Sequence, residues 1–326
     1  MRAITIPEFG DPDVLLPVDL ADPVPGPGEI SIDVAHAGAN YAEVLYRKGA
    51  VDVPLPYVPG IEVSGRIRAL GERVTGLRVG QLVAALTIID GGGYAEIAVA
   101  DAHLVAPLPD DVDDDTLARV AGVPSNSTTA TLVMAVAHLT EGETVLIHGA
   151  AGGVGSQLGQ VAKRLGAARV IGTVGRPEKI DKAAAFGYDT VVLRDDLADR
   201  AEFLTDGRGF EVIIDPVGGP IRRTSIGLLS GGGRLVAMGN ASGADPIHVD
   251  TNDLWFAGTA VLGFNLAALA NTHAERVGDA LRTAITDVLG DRLHVPITER
   301  LPLTDASQVH RQIESGKTIG KLILDV

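Results

Sequence analysis

Residues 144–155 read Thr-Val-Leu-Ile-His-Gly-Ala-Ala-Gly-Gly-Val-Gly, and this stretch constrains the fold more than any other part of the chain. The apolar run that ends at His148 predicts a buried parallel strand, and Ser156–Leu165 has helical periodicity. A strand, a glycine turn and a helix in this order suit a dinucleotide pyrophosphate, because glycines let the backbone approach the phosphates and the helix start offers free N–H groups. We therefore interpret the segment as a cofactor site rather than as a purely structural turn.

The middle of the chain alternates strands and helices, which predicts an α/β fold with a doubly wound parallel six-stranded sheet of the Rossmann type. We assign residues 123–266 to this dinucleotide-binding domain. The link around Asp250–Phe256 is the least regular part of the pattern. The predicted strands are Thr144–His148, Arg169–Val174, Thr190–Leu193, Phe210–Asp215, Arg234–Met238 and Ala260–Phe264. The predicted helices are Ser156–Leu165, Glu178–Phe186, Asp196–Leu204 and Ile221–Leu229.

Residues 1–122 show short strands that are interrupted at close intervals by proline and glycine. Segments such as Pro23–Gly28 and Pro54–Gly60 are incompatible with a helix or a central strand. This pattern predicts a barrel-like, mainly antiparallel β domain. The tail ends in an apolar strand, Lys321–Asp325, which we expect to pair back into the first domain. Residues 1–122 and 267–326 would then form one split substrate domain into which the dinucleotide-binding domain is inserted.

Composition narrows the function classes. The chain has no cysteine, which excludes disulfides, thiolate catalysis and cysteine-ligated zinc, and its eight histidines are scattered, so we expect no metal. The net charge of −15 disfavours nucleic-acid and anionic-membrane partners. The acidic run Asp110–Asp115 is interpreted as charge at a helix start rather than as a cation site. Without an apolar signal core or a run of transmembrane length, a cytoplasmic location is the default expectation.

The end of the second predicted strand indicates which nucleotide is bound. NAD-binding domains place an acidic residue there for the ribose 2′-hydroxyl, whereas this chain has Gly175, followed by Arg176 and Lys179. A guanidinium and an ammonium suit a 2′-phosphate, so we expect NADPH rather than NADH. Glu178 is interpreted as a residue that favours the helix start after Pro177.

The motifs together resemble the zinc-independent quinone oxidoreductase (zeta-crystallin-like) branch of the medium-chain dehydrogenase/reductase superfamily, over nearly the whole chain. This resemblance implies a GroES-like β domain and a Rossmann domain. The stretches that carry it, besides the glycine turn, are Gly38–Val44, Val58–Gly65, Gly92–Glu96, Asp215–Gly219, Met238–Gly243 and Gly316–Lys321.

The resemblance also bears on the chemistry. In zinc alcohol dehydrogenases of this superfamily a cysteine and a His-Glu pair line the substrate cleft. Here Asn40 stands at the cysteine position, and Gly60 precedes Ile61-Glu62 where the His-Glu pair would be. Without a Lewis acid, an acceptor that takes hydride by conjugate addition is the easier partner. The resemblance therefore implies reduction of quinones or α,β-unsaturated carbonyls by NADPH.

By resemblance, the catalytic residues are Asn40, Tyr46 and Thr129, with Tyr46 and Thr129 as weak candidates for a proton donor. Where the family usually has a tyrosine near the 2′-phosphate this chain has Leu193, which shifts that role to Arg176, with Arg194 as a second candidate. The cofactor-binding residues implied are Asn40, Thr129, Gly152, Gly153, Val154, Gly175, Arg176, Lys179, Asn240, Phe264, Asn265, Leu266 and Lys321.

Several alternatives stay open at this point. Asn40 could cap a following helix, Phe264 could be core, and Tyr46 could be a half-buried surface ring. An enoyl-thioester or enone reductase of a biosynthetic pathway would use the same machinery, with Arg47 and Lys48 as basic residues for a pantetheine-bearing substrate. A non-catalytic NADPH-binding protein is a third reading. The family pairs its edge strand across a two-fold axis, which implies a homodimer through 258–264.

Overall fold

The structure is a computed structural model, and it describes residues 1–326. The chain divides into two compact units, which are described separately. The β unit comprises Met1–Thr128 and Leu266–Val326, and the α/β unit comprises Thr129–Asn265. None of the helices combines the length and the apolar character that a membrane crossing requires.

The first part of the β unit is built around one long strand that pairs with neighbours on both sides. The Pro/Gly-rich segments of this unit are irregular, as the sequence predicts. The sequence predicts a strand over Tyr94–Val99, but the strand starts at Ile97, because the backbone of Tyr94 bonds to Pro59 and Ile4 instead of joining a ladder. The elements are β1 (Arg2–Thr5), β2 (Leu16–Asp19), β3 (Glu29–Ala39), α1 (Tyr41–Arg47), β4 (Glu62–Leu70), β5 (Leu82–Leu86), β6 (Ile97–Asp101), β7 (Val105–Pro107) and α2 (Asp114–Val120).

The α/β unit contains one parallel sheet of six strands in the order β10-β9-β8-β11-β12-β13, which confirms the predicted doubly wound architecture. The core strand β8 is buried at every position, as expected for a strand covered on both faces. Its elements, after α3 (Asn126–Val136), are β8 (Thr144–His148), α4 (Gly153–Arg164), β9 (Arg169–Val174), α5 (Ile180–Ala184), β10 (Thr190–Leu193), α6 (Leu197–Thr205), β11 (Phe210–Asp215), α7 (Pro220–Ile226), β12 (Leu229–Ala237), α8 (Thr251–Ala257) and β13 (Ala260–Gly263).

Several elements of this unit differ from their predicted bounds by one to three residues at an end, and two differ in a more informative way. Strand β12 begins at Leu229 rather than at Arg234, and a register shift against β11 absorbs the glycines between these residues. The helix predicted over 178–186 is divided into a 3-10 turn, Pro177–Lys179, and the short helix α5. The weakest helix of the pattern, around 250–256, is present as α8.

The tail returns to the β unit and completes its larger sheet. Strand β15 pairs antiparallel with β3, with Leu322 opposite Ala39, and parallel with β14, so the predicted return of the tail is confirmed. The sheet order is β14-β15-β3-β4-β5-β7, and β6 also pairs with β3. The elements of the tail are α9 (Leu266–Thr272), α10 (Ala274–Leu289), β14 (Ile297–Pro302), α11 (Ala306–Glu314) and β15 (Lys321–Asp325).

The acidic run before α2 serves the helix start, as predicted. The Asp113 carboxylate accepts a hydrogen bond of 2.8 Å from the N–H of Thr116. Asp114 and Asp115 accept hydrogen bonds of 2.8 and 3.1 Å from Arg300. No group of three or more His, Cys, Asp or Glu side chains is arranged to hold a metal ion.

Candidate functional site

In the α/β unit, the glycine turn lies between the end of β8 and the start of α4. Gly152 is the N-cap residue of α4, so the backbone at Gly152, Gly153 and Val154 forms the N-terminus of this helix. A side chain at Gly155 would overlap the carbonyl of Gly149, so a glycine there allows the turn to fold onto the helix. The sequence-predicted pyrophosphate residues therefore lie at a helix N-terminus, where a phosphate finds N–H donors and favourable dipole charge.

A buried histidine supports this turn from the sheet. The ring nitrogens of His148 lie 2.8 Å from the hydroxyl of Thr173 and 2.8 Å from the hydroxyl of Ser225. Burial lowers the pKa of His148 to about 4, although the carboxylate of Asp215 opposes the shift. The imidazole is therefore neutral at physiological pH, and we assign it a structural role at the end of β8.

Three cationic residues surround the end of β9. The guanidinium of Arg194 lies 3.3 Å from the position that a Cβ of Gly175 would occupy, so a larger residue at 175 would crowd it. Burial and the charges of Arg176 and Arg194 lower the pKa of Lys179, with Glu178 acting in the opposite direction. The Arg176–Glu178 pair is long, at 3.9 Å. Arg194 thus joins the predicted residues Arg176 and Lys179 in one positive cluster, next to the predicted Gly175.

The residues of this cluster fit an anionic ligand. The Nε atom of Arg194 is buried and has no hydrogen-bond partner in the protein. Buried donors without an acceptor are rare, because desolvation without a compensating hydrogen bond is costly. A groove of about 400 Å³ opens beside this residue and is lined also by Val217, Gly218 and Ile221. The phosphate oxygens of a dinucleotide would supply the missing acceptors.

In the β unit, Asn40 occupies the N-cap position of α1, as one of the alternatives predicted. Its backbone N–H donates to the carboxylate of Glu43 at 3.0 Å, as in a capping box. Its side chain lies among charged groups: Nζ of Lys321 donates to Oδ1 at 2.6 Å, and Nδ2 donates to Glu62 at 2.8 Å. Asn40 is thus both a cap and part of a buried polar cluster, and its contact with a cofactor stays a prediction.

Two ionisable groups on α1 have perturbed pKa values. Burial raises the pKa of Glu43 to about 7, against the opposing charge of Lys321 and hydrogen bonds from the backbone, including the N–H of Ile61 at 3.1 Å. Tyr46 is half-buried, and its ring meets that of Tyr57 edge-on at 5.8 Å. Burial, followed by the charge of Glu43, raises the pKa of Tyr46 to about 12. Tyr46 is therefore a protonated phenol across the physiological range.

The remaining predicted residues have diverse surroundings. Thr129 is buried in the first turn of α3. Asn240 is exposed, and its side-chain amide closes a turn by donating to the carbonyl of Ala244 at 2.9 Å. Phe264 is half-buried rather than a core residue, Asn265 is exposed, and Leu266 is buried at the start of α9. Their roles toward a cofactor stay predictions.

The suggestion that Arg47 and Lys48 together receive a pantetheine-bearing substrate is wrong for Arg47. Arg47 is fully buried, and its Nη2 lies 2.9 Å from the carboxylate of Glu314. Lys48 contacts the same carboxylate at 2.5 Å. A buried guanidinium that is already paired with a carboxylate is not available to an incoming phosphate.

Sequence reasoning missed Glu43 and Glu62 as members of the site. Both stand in the motifs Gly38–Val44 and Val58–Gly65, and both are completely buried. The available signal was a carboxylate within an otherwise apolar or glycine-rich stretch, since buried acidic residues are almost always paired. The partners of Glu62 could not be identified, because Asn40 and Lys321 come from distant parts of the chain.

Family models match both parts of the chain. The model described as an alcohol dehydrogenase GroES-like domain matches residues 26–110, and the model described as a zinc-binding dehydrogenase matches residues 153–282. A quinone oxidoreductase from Pseudomonas aeruginosa is 34% identical over 332 residues, which cover 99% of this chain and 99% of that protein. The similarity to this relative is therefore not confined to one unit.

Two solved structures share the fold over the whole chain. A mycobacterial protein, solved in complex with NADPH, has a TM-score of 0.91 and 32% sequence identity and is covered completely, as is this chain. The quinone oxidoreductase of Escherichia coli, also complexed with NADPH, has a TM-score of 0.91 and 28% identity, again with complete coverage of both chains.

The buried carboxyl of Glu43 makes stability depend on pH in a defined direction. Its pKa is raised from 4.5 to about 7 on folding, so the native state holds a proton more tightly than the unfolded chain does. Stability should therefore fall as the pH rises from about 4.5 to about 7, and the change should be complete above that range. We expect wild type to lose about 3 kcal/mol between pH 5 and pH 8 relative to Glu43→Gln, which cannot titrate.

The measurement is urea-induced unfolding of both proteins at these two pH values. The variant supplies the control, because every other titrating group is common to both proteins. Parallel pH profiles for wild type and Glu43→Gln would contradict the assignment.

Proposed function

Since this chain belongs to the quinone oxidoreductase branch of the medium-chain dehydrogenase/reductase superfamily, it is an NADPH-dependent oxidoreductase, and we propose that it reduces quinones or α,β-unsaturated carbonyls without zinc. One observation carries the zinc-independent part of the proposal. Asn40 stands where zinc alcohol dehydrogenases have their first cysteine, and its carbonyl oxygen accepts a hydrogen bond of 2.6 Å from the ammonium of Lys321. An amide that is bonded to this ammonium and to the carboxylate of Glu62 offers zinc no thiolate ligand.

NADPH, when bound, supplies the hydride. The chain's own residues would bind this cofactor. Gly152, Gly153 and Val154 would bind the pyrophosphate through the N-terminus of α4. We propose that the remaining predicted residues surround the nicotinamide, and orientation of donor and acceptor would supply much of the catalysis. The raised pKa of Tyr46 makes this phenol a weak proton donor, so the hydroxyl of Thr129 or solvent would share that task. The residues proposed around the nicotinamide are Asn40, Thr129, Asn240, Phe264, Asn265 and Leu266.

Turnover is tested by following the loss of NADPH absorbance, with NADH in parallel, against quinones, enones and enoyl thioesters. We expect NADPH-specific reduction of quinones or enones, because these acceptors take hydride by conjugate addition without a Lewis acid. Turnover confined to enoyl thioesters would identify the enzyme as a biosynthetic reductase instead. Binding of NADPH without turnover of any acceptor would contradict the proposed reaction and support a non-catalytic role.

The preference for NADPH is proposed to depend on Arg194 together with Arg176 and Lys179. Replacing Arg194 by alanine removes the guanidinium that has a buried donor without a partner. We expect Arg194→Ala to raise the Kd for NADPH by about tenfold to a hundredfold, as for the loss of a charge-assisted hydrogen bond to phosphate, and to leave that for NADH nearly unchanged.

Fluorescence titration with both nucleotides measures the effect. Arg208→Ala is the matched control, since Arg208 is an exposed arginine of the same unit that pairs with Asp206 at 3.5 Å. Equal weakening of NADPH and NADH binding by Arg194→Ala would contradict a role at the 2′-phosphate.

We also propose a homodimer through the edge strand β13. This strand pairs with β12 on one side only, and unpaired strand edges are usually covered. The preceding helix α8 exposes Trp255 and Phe256, stacked at 4.7 Å and 72% and 79% exposed. Light scattering should give a mass of twice 33.7 kDa for the wild type and a lower mass for Phe256→Glu. The control is Phe203→Glu, at an equally exposed phenylalanine, and it should keep the mass of the wild type. A monomeric wild type would exclude the dimer.

A further inference from the structure

A closed cluster of three side chains lies in the interior of the β unit. Asn40, Glu62 and Lys321 are 8%, 0% and 2% exposed. The Nζ atom of Lys321 donates to Oδ1 of Asn40 at 2.6 Å and forms a short ion pair with Glu62. The Nδ2 atom of Asn40 donates to the same carboxylate at 2.8 Å, so each member contacts both of the others.

The charges in this cluster fix the orientation of the Asn40 amide. The amide oxygen faces an ammonium, which can only donate, and the amide nitrogen faces a carboxylate, which can only accept. A flipped amide would place its NH2 group against Lys321 and its oxygen against Glu62, and would lose both hydrogen bonds. The second Nδ2 hydrogen points toward the carbonyl of Gly38 at 3.4 Å. The amide therefore has one orientation, with Oδ1 turned toward Lys321 and Nδ2 toward Glu62.

The fold provides space and further anchors for this cluster. A side chain at Gly38 would overlap the carboxylate of Glu62, and a Cβ at Gly122 would lie 2.9 Å from Cγ of Lys321. The other carboxylate oxygen of Glu62 accepts a hydrogen bond of 2.8 Å from the N–H of Ser125. Glycines that make room and a carboxylate with no free oxygen indicate a site built for one arrangement.

We propose that Glu62 and Lys321 are positioning residues, which together hold the Asn40 amide so that Oδ1 accepts a hydrogen bond from an N–H or O–H group of the bound nicotinamide nucleoside. This inference rests on the proposed function of Asn40, and it reassigns Lys321 from a direct cofactor contact to a residue that acts through Asn40. Both groups are needed, because the ammonium holds only the amide oxygen and the carboxylate holds only the NH2 group.

The first test is a double-mutant cycle with Asn40→Ala and Lys321→Met. Stopped-flow measurement of NADPH oxidation by a quinone gives the rate of hydride transfer, and titration gives the Kd for NADPH. We expect each single variant to lose about tenfold in rate and the double variant to lose no more than either, as residues that act as a unit do. The Kd for NADPH should change by only about twofold in Lys321→Met.

A companion variant addresses folding. Lys321→Met alone leaves the Glu62 charge buried without its partner, whereas Glu62→Gln/Lys321→Met removes both charges together. This neutral pair also removes the donor to Oδ1, so it should show the same loss of rate with thermal stability closer to that of wild type. Multiplicative losses in the cycle, or a larger effect of Lys321→Met on Kd than on rate, would overturn the inference.

A second readout does not depend on turnover. With asparagine-selective ¹⁵N labelling, the side-chain amide of Asn40, assigned by its absence in Asn40→Ala, should exchange slowly with water in the cofactor-free protein and rapidly in Lys321→Met. A rapidly exchanging amide in wild type would overturn the inference whatever the activity. A protected amide in a protein that reduces no acceptor would instead contradict the proposed function and leave the positioning intact.

Discussion

The antiparallel pairing of β15 with β3 is the constraint on which the β unit depends. The five-residue strand Lys321–Asp325 lies between β14 and β3, and it joins the tail to the sheet formed by the first part of the chain. Its register, with Leu322 opposite Ala39, places Lys321 next to Asn40. Because side chains alternate along a strand, a slip of one residue would replace this lysine by Gly320 or Leu322. Strand register therefore sets the chemistry of the buried cluster.

Two charged clusters, one in each unit, differ in how far their members satisfy one another. In the β unit, Asn40, Glu62 and Lys321 satisfy one another, so the cost of burying the ion pair is offset within the protein. In the α/β unit, Arg194 carries a buried donor without a partner beside Lys179. A cluster whose hydrogen bonds are all made within the protein holds its side chains in place, whereas a buried donor without an acceptor favours the binding of an anionic ligand. This difference supports assigning a positioning role to the first and a phosphate-binding role to the second.

Much of the fold could be predicted from the sequence, because apolar runs bounded by glycine or charged residues define strands closely. Four sheet strands, from Thr144–His148 to Phe210–Asp215, have the predicted bounds. The errors occur where a tertiary contact decides the outcome. Tyr94 does not join the predicted strand, because its N–H donates to the carbonyl of Pro59. Strand β12 is longer than predicted, because it continues through a glycine-rich bulge. Local patterns do not carry this information.

The site was less accessible to sequence reasoning. The glycine turn and the cations after β9 lie close together along the chain, so their pattern could be interpreted. Glu62 and Lys321 meet only after the tail has returned, and Arg47 carries a charge that the fold buries against Glu314. Separation along the sequence, rather than unusual chemistry, concealed these contacts.

The exposed aromatic pair on α8 gives the protein an internal optical reporter. Trp255 is the only tryptophan in the chain, and its indole is largely exposed to water. Its fluorescence therefore arises from one point of the surface, beside the edge strand β13, with no background from a buried indole. Any process that covers this edge should shift the emission to shorter wavelength, whereas events elsewhere in the chain should leave its colour unchanged.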